Sequence, residues 1–175
     1  MNLLKHLLCS ATAGALALGL AVDVTAQCVY TSDGTGLDCR TLYAGQTTEA
    51  GSVCAEVVGE DLLITYSTSG DWELVETHLW IGRDMASMPQ TRKGNPIPGQ
   101  FPWASGDISG ATSHTVTIPL IDLAFGCPDS DDETFFVAAH AALRRPAGNG
   151  GSQTATGWGA GDRLVQKGNR GTFFD

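Results

Sequence analysis

From residue 52 onward the chain contains short runs in which apolar and polar residues alternate, separated by clusters of Gly, Asp and Ser. In the segment 62–67, for example, Leu62, Ile64 and Tyr66 alternate with more polar positions. A period of two is typical of β-strands with one buried face, whereas an amphipathic helix shows a period of 3.6. The pattern predicts strands over 52–58, 62–67, 72–81, 114–120 and 134–143, with weaker ones over 154–158, 163–166 and 171–174.

Seven or eight short strands of this kind predict an all-β domain, a two-sheet antiparallel β-sandwich or jelly roll. Two regions interrupt the pattern. The segment 82–112 contains four prolines among Gly and Ser, and we interpret it as a long Pro/Gly-rich loop, a feature that is often functional. The segment 27–44 shows no clear strand pattern, and we expect a disulfide to hold it.

The first residues have the pattern of a secretory signal peptide. Lys5 precedes an apolar run over 7–22, and Val24-Thr25-Ala26 is a small-residue cleavage motif. The run is short for a transmembrane helix, which needs about 20 apolar residues, and no later stretch is apolar enough. We therefore expect a signal peptide over 1–26, a disulfide-held segment over 27–43 and one β-sandwich domain over 44–175, secreted and without a membrane span.

Charge and cysteine content fit an extracellular protein. The formal net charge is −9, and it stays so after cleavage because Lys5 and Asp23 leave together. An acidic chain repels nucleic-acid phosphates, so we expect no nucleic-acid partner. Of the five cysteines, Cys9 leaves with the signal peptide. The other four have no C-x-x-C spacing, which argues against a zinc site of cysteines.

Four cysteines in an oxidising compartment indicate two disulfides, and three pairings are open. The pairing we favour joins Cys28 to Cys39 across a small Gly- and Asp-containing loop. It also joins Cys54 to Cys127, which would tie distant strands together.

Glu76, His78 and His140 are the first candidate binding residues. Glu76 and His78 share one face of a predicted strand with Trp80, opposite a core face of Val75, Thr77, Leu79 and Ile81, because side chains alternate along a strand. His140 lies in the apolar run expected at the centre of a sheet. Two histidines and one carboxylate are a known zinc set. The alternative, favoured by the absence of tight ligand spacing, is that each histidine is structural.

The acidic run that follows Cys127-Pro128 is the candidate metal site. It consists of Asp129, Asp131, Asp132 and Glu133 around Ser130. Closely spaced carboxylates suit Ca²⁺, although the glycine and final glutamate of an EF-hand loop are missing. We retain calcium as a candidate cofactor beside the simpler interpretation, a solvated acidic turn.

Aromatic residues supply the remaining candidates. Trp80 lies on the predicted face of His78, and Trp103 lies in the long loop after Phe101-Pro102. Exposed aromatic rings on a β-sandwich stack on sugars or anchor protein partners. The alternative is that they cover the core beneath long loops, since large aromatic side chains are mostly buried.

Several motifs along 43–174 resemble a family of uncharacterised secreted domains found in extracellular and surface proteins of microbes. They are E-T-H-L-W-I-G over 76–82, G-N-P-I-P-G-Q-F-P over 94–102, A-A-H-A over 138–141 and Trp158-Gly159. The resemblance implies a β-sandwich on a secreted protein. It implies no activity.

Together these features predict a secreted extracellular or cell-surface binding or structural module, with calcium as a candidate stabiliser and a protein or glycan as the expected partner. The chain has no G-x-S-x-G or H-E-x-x-H motif. Two alternatives remain open. One is a secreted hydrolase or metalloenzyme centred on Glu76, His78 and His140, and the other is a secreted effector that contacts a host protein through the loop 82–112.

Overall fold

The chain is built from β-strands joined by turns and loops. The computed structural model describes residues 8–9, 30–31, 37–123, 135–148, 150–165 and 171–175. Its only helical elements in these ranges are the single turn α1 (Leu120–Leu123) and 3-10 turns at Met85–Ser87 and Pro98–Gln100. The strands are β1 (Leu8–Cys9), β2 (Tyr30–Thr31), β3 (Asp38–Ala44), β4 (Thr48–Val58), β5 (Asp61–Thr68), β6 (Glu73–Gly82), β7 (Trp103–Ala104), β8 (Ser113–Pro119), β9 (Phe136–Pro146), β10 (Ser152–Gly159), β11 (Asp162–Arg163) and β12 (Thr172–Phe173).

Eight strands form one antiparallel sheet in the order β7-β6-β9-β10-β3-β4-β5-β8. Tight turns join β3 to β4 and β4 to β5, and in them Gly45 and Gly59 have φ of 67° and 62°. Glycine adopts this conformation without steric cost. β1 pairs with β2, and β11 with β12, in separate two-stranded ladders. The all-β fold predicted from the alternation is confirmed.

The two halves of this sheet, β7-β6-β9-β10 and β3-β4-β5-β8, pack face to face and give a sandwich-like fold. Tyr66 on β5 donates a hydrogen bond of 3.2 Å to the backbone oxygen of His78 on β6. Thr77 Oγ1 on β6 lies 2.9 Å from His114 Nδ1 on β8. One apolar cluster between the halves includes Leu42, Val53, Leu62, Ile64, Leu74, Leu79, Ala139 and Leu143.

The predicted faces of β6 are largely as the alternation indicates. Thr77, Leu79 and Ile81 are buried towards the core. Val75 is the exception: the register of β6 against β9 shifts between Leu74 and Glu76. A β-bulge of this kind leaves one residue unpaired. As a result Leu74, rather than Val75, occupies the core position.

Residues 38–44, which the sequence pattern left inside an irregular segment, form the interior strand β3 between β10 and β4. The favoured disulfide pairing is also wrong. Cys39 bonds to Cys54, its direct partner in the register of β3 against β4. Their Cα atoms are 4.0 Å apart, so the strand register itself brings the two sulfur atoms into bonding range. Cys28 and Cys127 lie outside the described residues.

The long loop predicted over 82–112 folds back on the outer face of β6 and β9. Met88 and Phe101 from this loop pack with Trp80, Ala138 and Trp158 in a second apolar cluster, and each of these side chains is buried. A chain that crosses the outer face needs apolar anchors there, because a loop gains stability mainly by burying apolar surface. The sheet is consequently covered on both faces around Trp80.

Two sequence predictions concern residues that are not described, or only in small part. The acidic run 129–133 proposed for calcium lies outside the described ranges. Of the predicted signal peptide, Leu8–Cys9 is described, as β1 paired with β2. Within the described ranges, no helix combines the length and the apolar character needed to cross a membrane.

Candidate functional site

One row of four side chains crosses the outer face of the sheet. His78 on β6, His140 on β9, Trp158 on β10 and Tyr43 on β3 are successive partners in the strand register. Residues directly opposite each other in antiparallel strands point to the same face and are close enough to interact. We refer to His78, His140, Trp158 and Tyr43 as the aromatic row.

The two histidines of the aromatic row contact each other directly. Their Nδ1 atoms are 3.3 Å apart, their ring centroids are 5.4 Å apart and the ring planes are inclined by 42°. With both rings neutral, one Nδ1 carries a hydrogen and the other accepts it. Trp158 closes the other side of His140, with ring centroids 4.9 Å apart in an edge-to-face arrangement.

His78 and His140 differ in burial and in their other neighbours. His140 is buried, with 8% of its surface exposed. This burial, with a smaller contribution from the neighbouring charge of His78, lowers the pKa of His140 to about 3. His140 is therefore neutral near pH 7. Glu76 Oε2 lies 3.7 Å from Nε2 of His78, the ring nitrogen that does not face His140.

A pocket opens at the other end of the aromatic row. It has a volume of about 230 Å³, and its wall includes Tyr43, Gln46, Trp158, Arg163 and Thr172. Aromatic rings next to amide, hydroxyl and guanidinium groups are the usual lining of a small-ligand site. The strand pairing of β3 with β10 and of β11 with β12 positions these side chains.

The structure brings together three of the predicted binding residues: Glu76, His78 and His140. The two tryptophans proposed for binding lie elsewhere. Trp80 is 4% exposed and packs beneath the long loop. Trp103 lies on β7 at the edge of the sheet, where it lines a separate cavity of about 300 Å³ with His114.

Sequence reasoning missed Tyr43 and Arg163 as pocket residues. Tyr43 belongs to β3, whose apolar alternation is limited to Leu42 and Ala44, so its segment gave a weak strand signal. Arg163 lies on the two-residue strand β11. The sequence around Tyr43 gives no sign that Arg163 lies near it, and the reverse is also true, because their proximity depends on how β3, β10 and β11 are arranged.

The chemistry open to this face is limited by its residue types. His78 and His140 share one hydrogen bond through their Nδ1 atoms, and histidine nitrogens can bind a transition metal. Within the part of the chain that the structure describes, no group of three or more His, Cys, Asp or Glu side chains is placed to hold a metal ion. The three-ligand zinc set considered from the sequence is not assembled in that form, since Glu76 lies at the far nitrogen of His78.

Comparison with known proteins adds no relative: no family model, no curated protein and no solved structure matches the chain.

Proposed function

We propose that this protein is a secreted binding module whose ligand-binding surface is the pocket at the Tyr43–Trp158 end of the aromatic row. The ligand class that best suits this pocket is a saccharide. The proposal concerns a binding role outside the cell, in line with the signal-like N-terminus and with the disulfide between β3 and β4.

The lining of the pocket is the observation that carries this proposal. Tyr43 is half-buried, so part of its ring is open to a ligand. An aromatic ring stacks on the apolar face of a sugar, while hydroxyl groups around the sugar ring need donors and acceptors. Arg163 supplies donors in the same wall, and the Thr172 hydroxyl, which donates its proton to the backbone oxygen of Gly159, can still accept a hydrogen bond. The volume of about 230 Å³ lies below the range of drug-sized sites and suits one small ring.

A saccharide titration tests this role. Glucose, galactose, N-acetylglucosamine and glucuronate would each be added at millimolar concentration to ¹⁵N-labelled protein, and the amide and indole signals followed by NMR. We expect at least one sugar to shift the Trp158 indole signal together with backbone signals around 43–46. Replacing Tyr43 with Ala should weaken that binding about fivefold, because a stacked aromatic ring contributes on the order of 1 kcal/mol.

A second arginine provides the matched control for the pocket arginine. Arg163→Ala should weaken binding, whereas Arg145→Ala should not, because Arg145 lies over the ring of Trp72, 4.5 Å from its centroid, and outside the pocket wall. If no sugar shifts the signals around Tyr43 and Trp158, or if Arg145→Ala weakens binding as much as Arg163→Ala, the saccharide proposal is wrong.

A further inference from the structure

The His78–His140 pair lies at the opposite end of the aromatic row from the pocket and is not used by the proposed binding role. Its two Nδ1 atoms face each other at 3.3 Å. Both residues are held there by backbone pairing, because His78 and His140 are direct partners in the register of β6 against β9. The approach of the two nitrogens is therefore set by the sheet rather than by flexible side chains alone.

The separation of the two nitrogens matches that of two ligands on one metal ion. Zinc–nitrogen bonds are about 2.0–2.1 Å long, so two nitrogens at a tetrahedral angle are roughly 3.3–3.4 Å apart. In the metal-free protein the same separation allows a hydrogen bond between the two rings, which a bound ion would replace. The two ring planes are inclined by 42°. In a parallel stack the two Nδ1 atoms would point in parallel directions, whereas inclined rings can direct both nitrogens towards one ion.

The pair also has the neighbours expected of metal-binding histidines. Glu76 lies at Nε2 of His78, the position where a carboxylate commonly orients a metal-bound histidine and increases its basicity. Trp158 packs edge-to-face against His140, which restricts the orientation of that ring.

The geometry points to a two-histidine site for a divalent transition-metal ion of the zinc or copper class, bound by His78 Nδ1 and His140 Nδ1. Glu76 is a positioning residue that acts through His78 and does not touch the ion. The remaining coordination positions are open to water or to a ligand oxygen. With two protein ligands the site binds more weakly than a four-ligand structural zinc site, so the ion exchanges with the medium.

Zinc titration of the folded protein tests the site directly. The full chain would be treated with EDTA, dialysed and titrated with Zn²⁺ at pH 7 by calorimetry. We expect one binding event that is lost in His78→Gln and in His140→Gln. Glu76→Gln should raise the Kd by about 10–100-fold, the usual effect of losing a partner behind a metal ligand. His114→Gln is the matched control, because it removes a histidine that contacts Thr77 instead, and it should leave the Kd unchanged.

An NMR measurement on the wild-type protein covers the case in which His140→Gln fails to fold. Long-range ¹H–¹⁵N spectra identify the tautomer of each imidazole, and Zn²⁺ should shift the Nδ1 resonances of His78 and His140 while those of His114 stay in place. The inference is overturned if Zn²⁺ leaves both Nδ1 resonances unchanged. It is equally overturned if folded His78→Gln binds zinc as the wild type does. Neither outcome depends on saccharide binding, so the two proposals fail separately.

Discussion

At the scale of single residues, two buried polar side chains of the core, Thr77 and Tyr66, are positioned by specific partners. Thr77 is 1% exposed on the core side of β6, and its hydroxyl lies 2.9 Å from His114 Nδ1. Tyr66 is fully buried, and its hydroxyl donates to the backbone oxygen of His78. A buried polar group without such a partner costs about 1–3 kcal/mol. Each of these two contacts joins one half of the sheet to the other. The hydrogen bonds that satisfy these buried polar groups therefore also fix how the two halves are aligned.

His114 gives a pH-dependent contribution to stability. Burial lowers the pKa of His114 below its ordinary value of 6.5. The unfolded chain therefore takes up a proton on this residue before the folded chain does, and the contribution is complete above about pH 6.5 and is lost as the pH falls. We expect the free energy of unfolding of the wild type to decrease more steeply between pH 7 and 5 than that of His114→Gln. Urea unfolding at several pH values measures both slopes, and equal slopes would contradict the prediction.

Gly51 is a position where only glycine fits. Its φ is 150°, a conformation that residues with a side chain rarely adopt, and an added Cβ would fall on the backbone oxygen of Ser67 on β5. We predict that Gly51→Ala lowers the free energy of unfolding by at least about 2 kcal/mol, the scale of overpacking in a rigid sheet. Urea denaturation measures this.

Gly99→Ala is the control for that substitution, because nothing lies within 4 Å of the added Cβ and its φ is not positive. A change within about 0.5 kcal/mol is expected there. A mild effect at Gly51 would mean that β4 and β5 can move apart locally.

At the scale of elements, β3 connects the two halves of the large sheet. It pairs with β10 on one side and β4 on the other, and the β10–β3 junction consists of three residue pairs. Tyr43, the last member of the aromatic row, lies at this junction. Because β3 is paired with strands of both halves, its pairing with β4 stabilises the fold and also holds Tyr43 in the pocket wall.

The Cys39–Cys54 disulfide strengthens that attachment. Its cysteines are 15 residues apart, and closing a loop of about 15 residues is worth roughly 3 kcal/mol in the chain-entropy model. We predict a loss of that size in Cys39→Ser/Cys54→Ser, measured by urea unfolding.

Peptide mapping of the non-reduced protein checks the pairing independently of stability. A peptide linking Cys39 to Cys54 is expected. A peptide linking Cys39 to Cys28 would restore the pairing first inferred from loop size and would contradict the strand register.

At the scale of the whole molecule, the chain has a formal net charge of −9. Its sheet is covered on both faces around Trp80. Exposed large apolar side chains in the described ranges are separate from one another in sequence: Leu37, Val58 and Ile121. Scattered exposure of this kind is normal for globular proteins. The charge favours solubility and disfavours polyanionic partners.

Export and cleavage of the N-terminus are expected for the whole chain. Expressed with its own N-terminus in an exporting bacterial host, the protein should appear outside the cytoplasm with the mass of residues 27–175, because cleavage is expected after Ala26. Intact mass spectrometry of the exported fraction measures this. Recovery of the uncleaved chain, with Leu8–Cys9 still attached to Tyr30–Thr31 through the β1–β2 ladder, would contradict it.

The sequence by itself determined the all-β class and most of the faces of the strand around His78. The alternation around His78 placed Glu76, His78 and Trp80 together, opposite Thr77, Leu79 and Ile81, because side chains on a strand alternate with a period of two. The Gly and Asp residues between the predicted strands 52–58 and 62–67 likewise mark the turn between β4 and β5. These features depend on a few neighbouring residues, so they are visible in a short stretch of sequence.

The tertiary structure alone decided which residues meet. His78 and His140 are 62 positions apart, and only the register of β6 against β9 makes them partners. The same holds for Tyr43 with Trp158 and for Cys39 with Cys54. Register is selected by packing the apolar faces of both layers together, since a slip by one residue would turn every side chain to the wrong face. That selection involves the whole core, which is why local pattern predicted the histidine-bearing face but not the pocket or the disulfide.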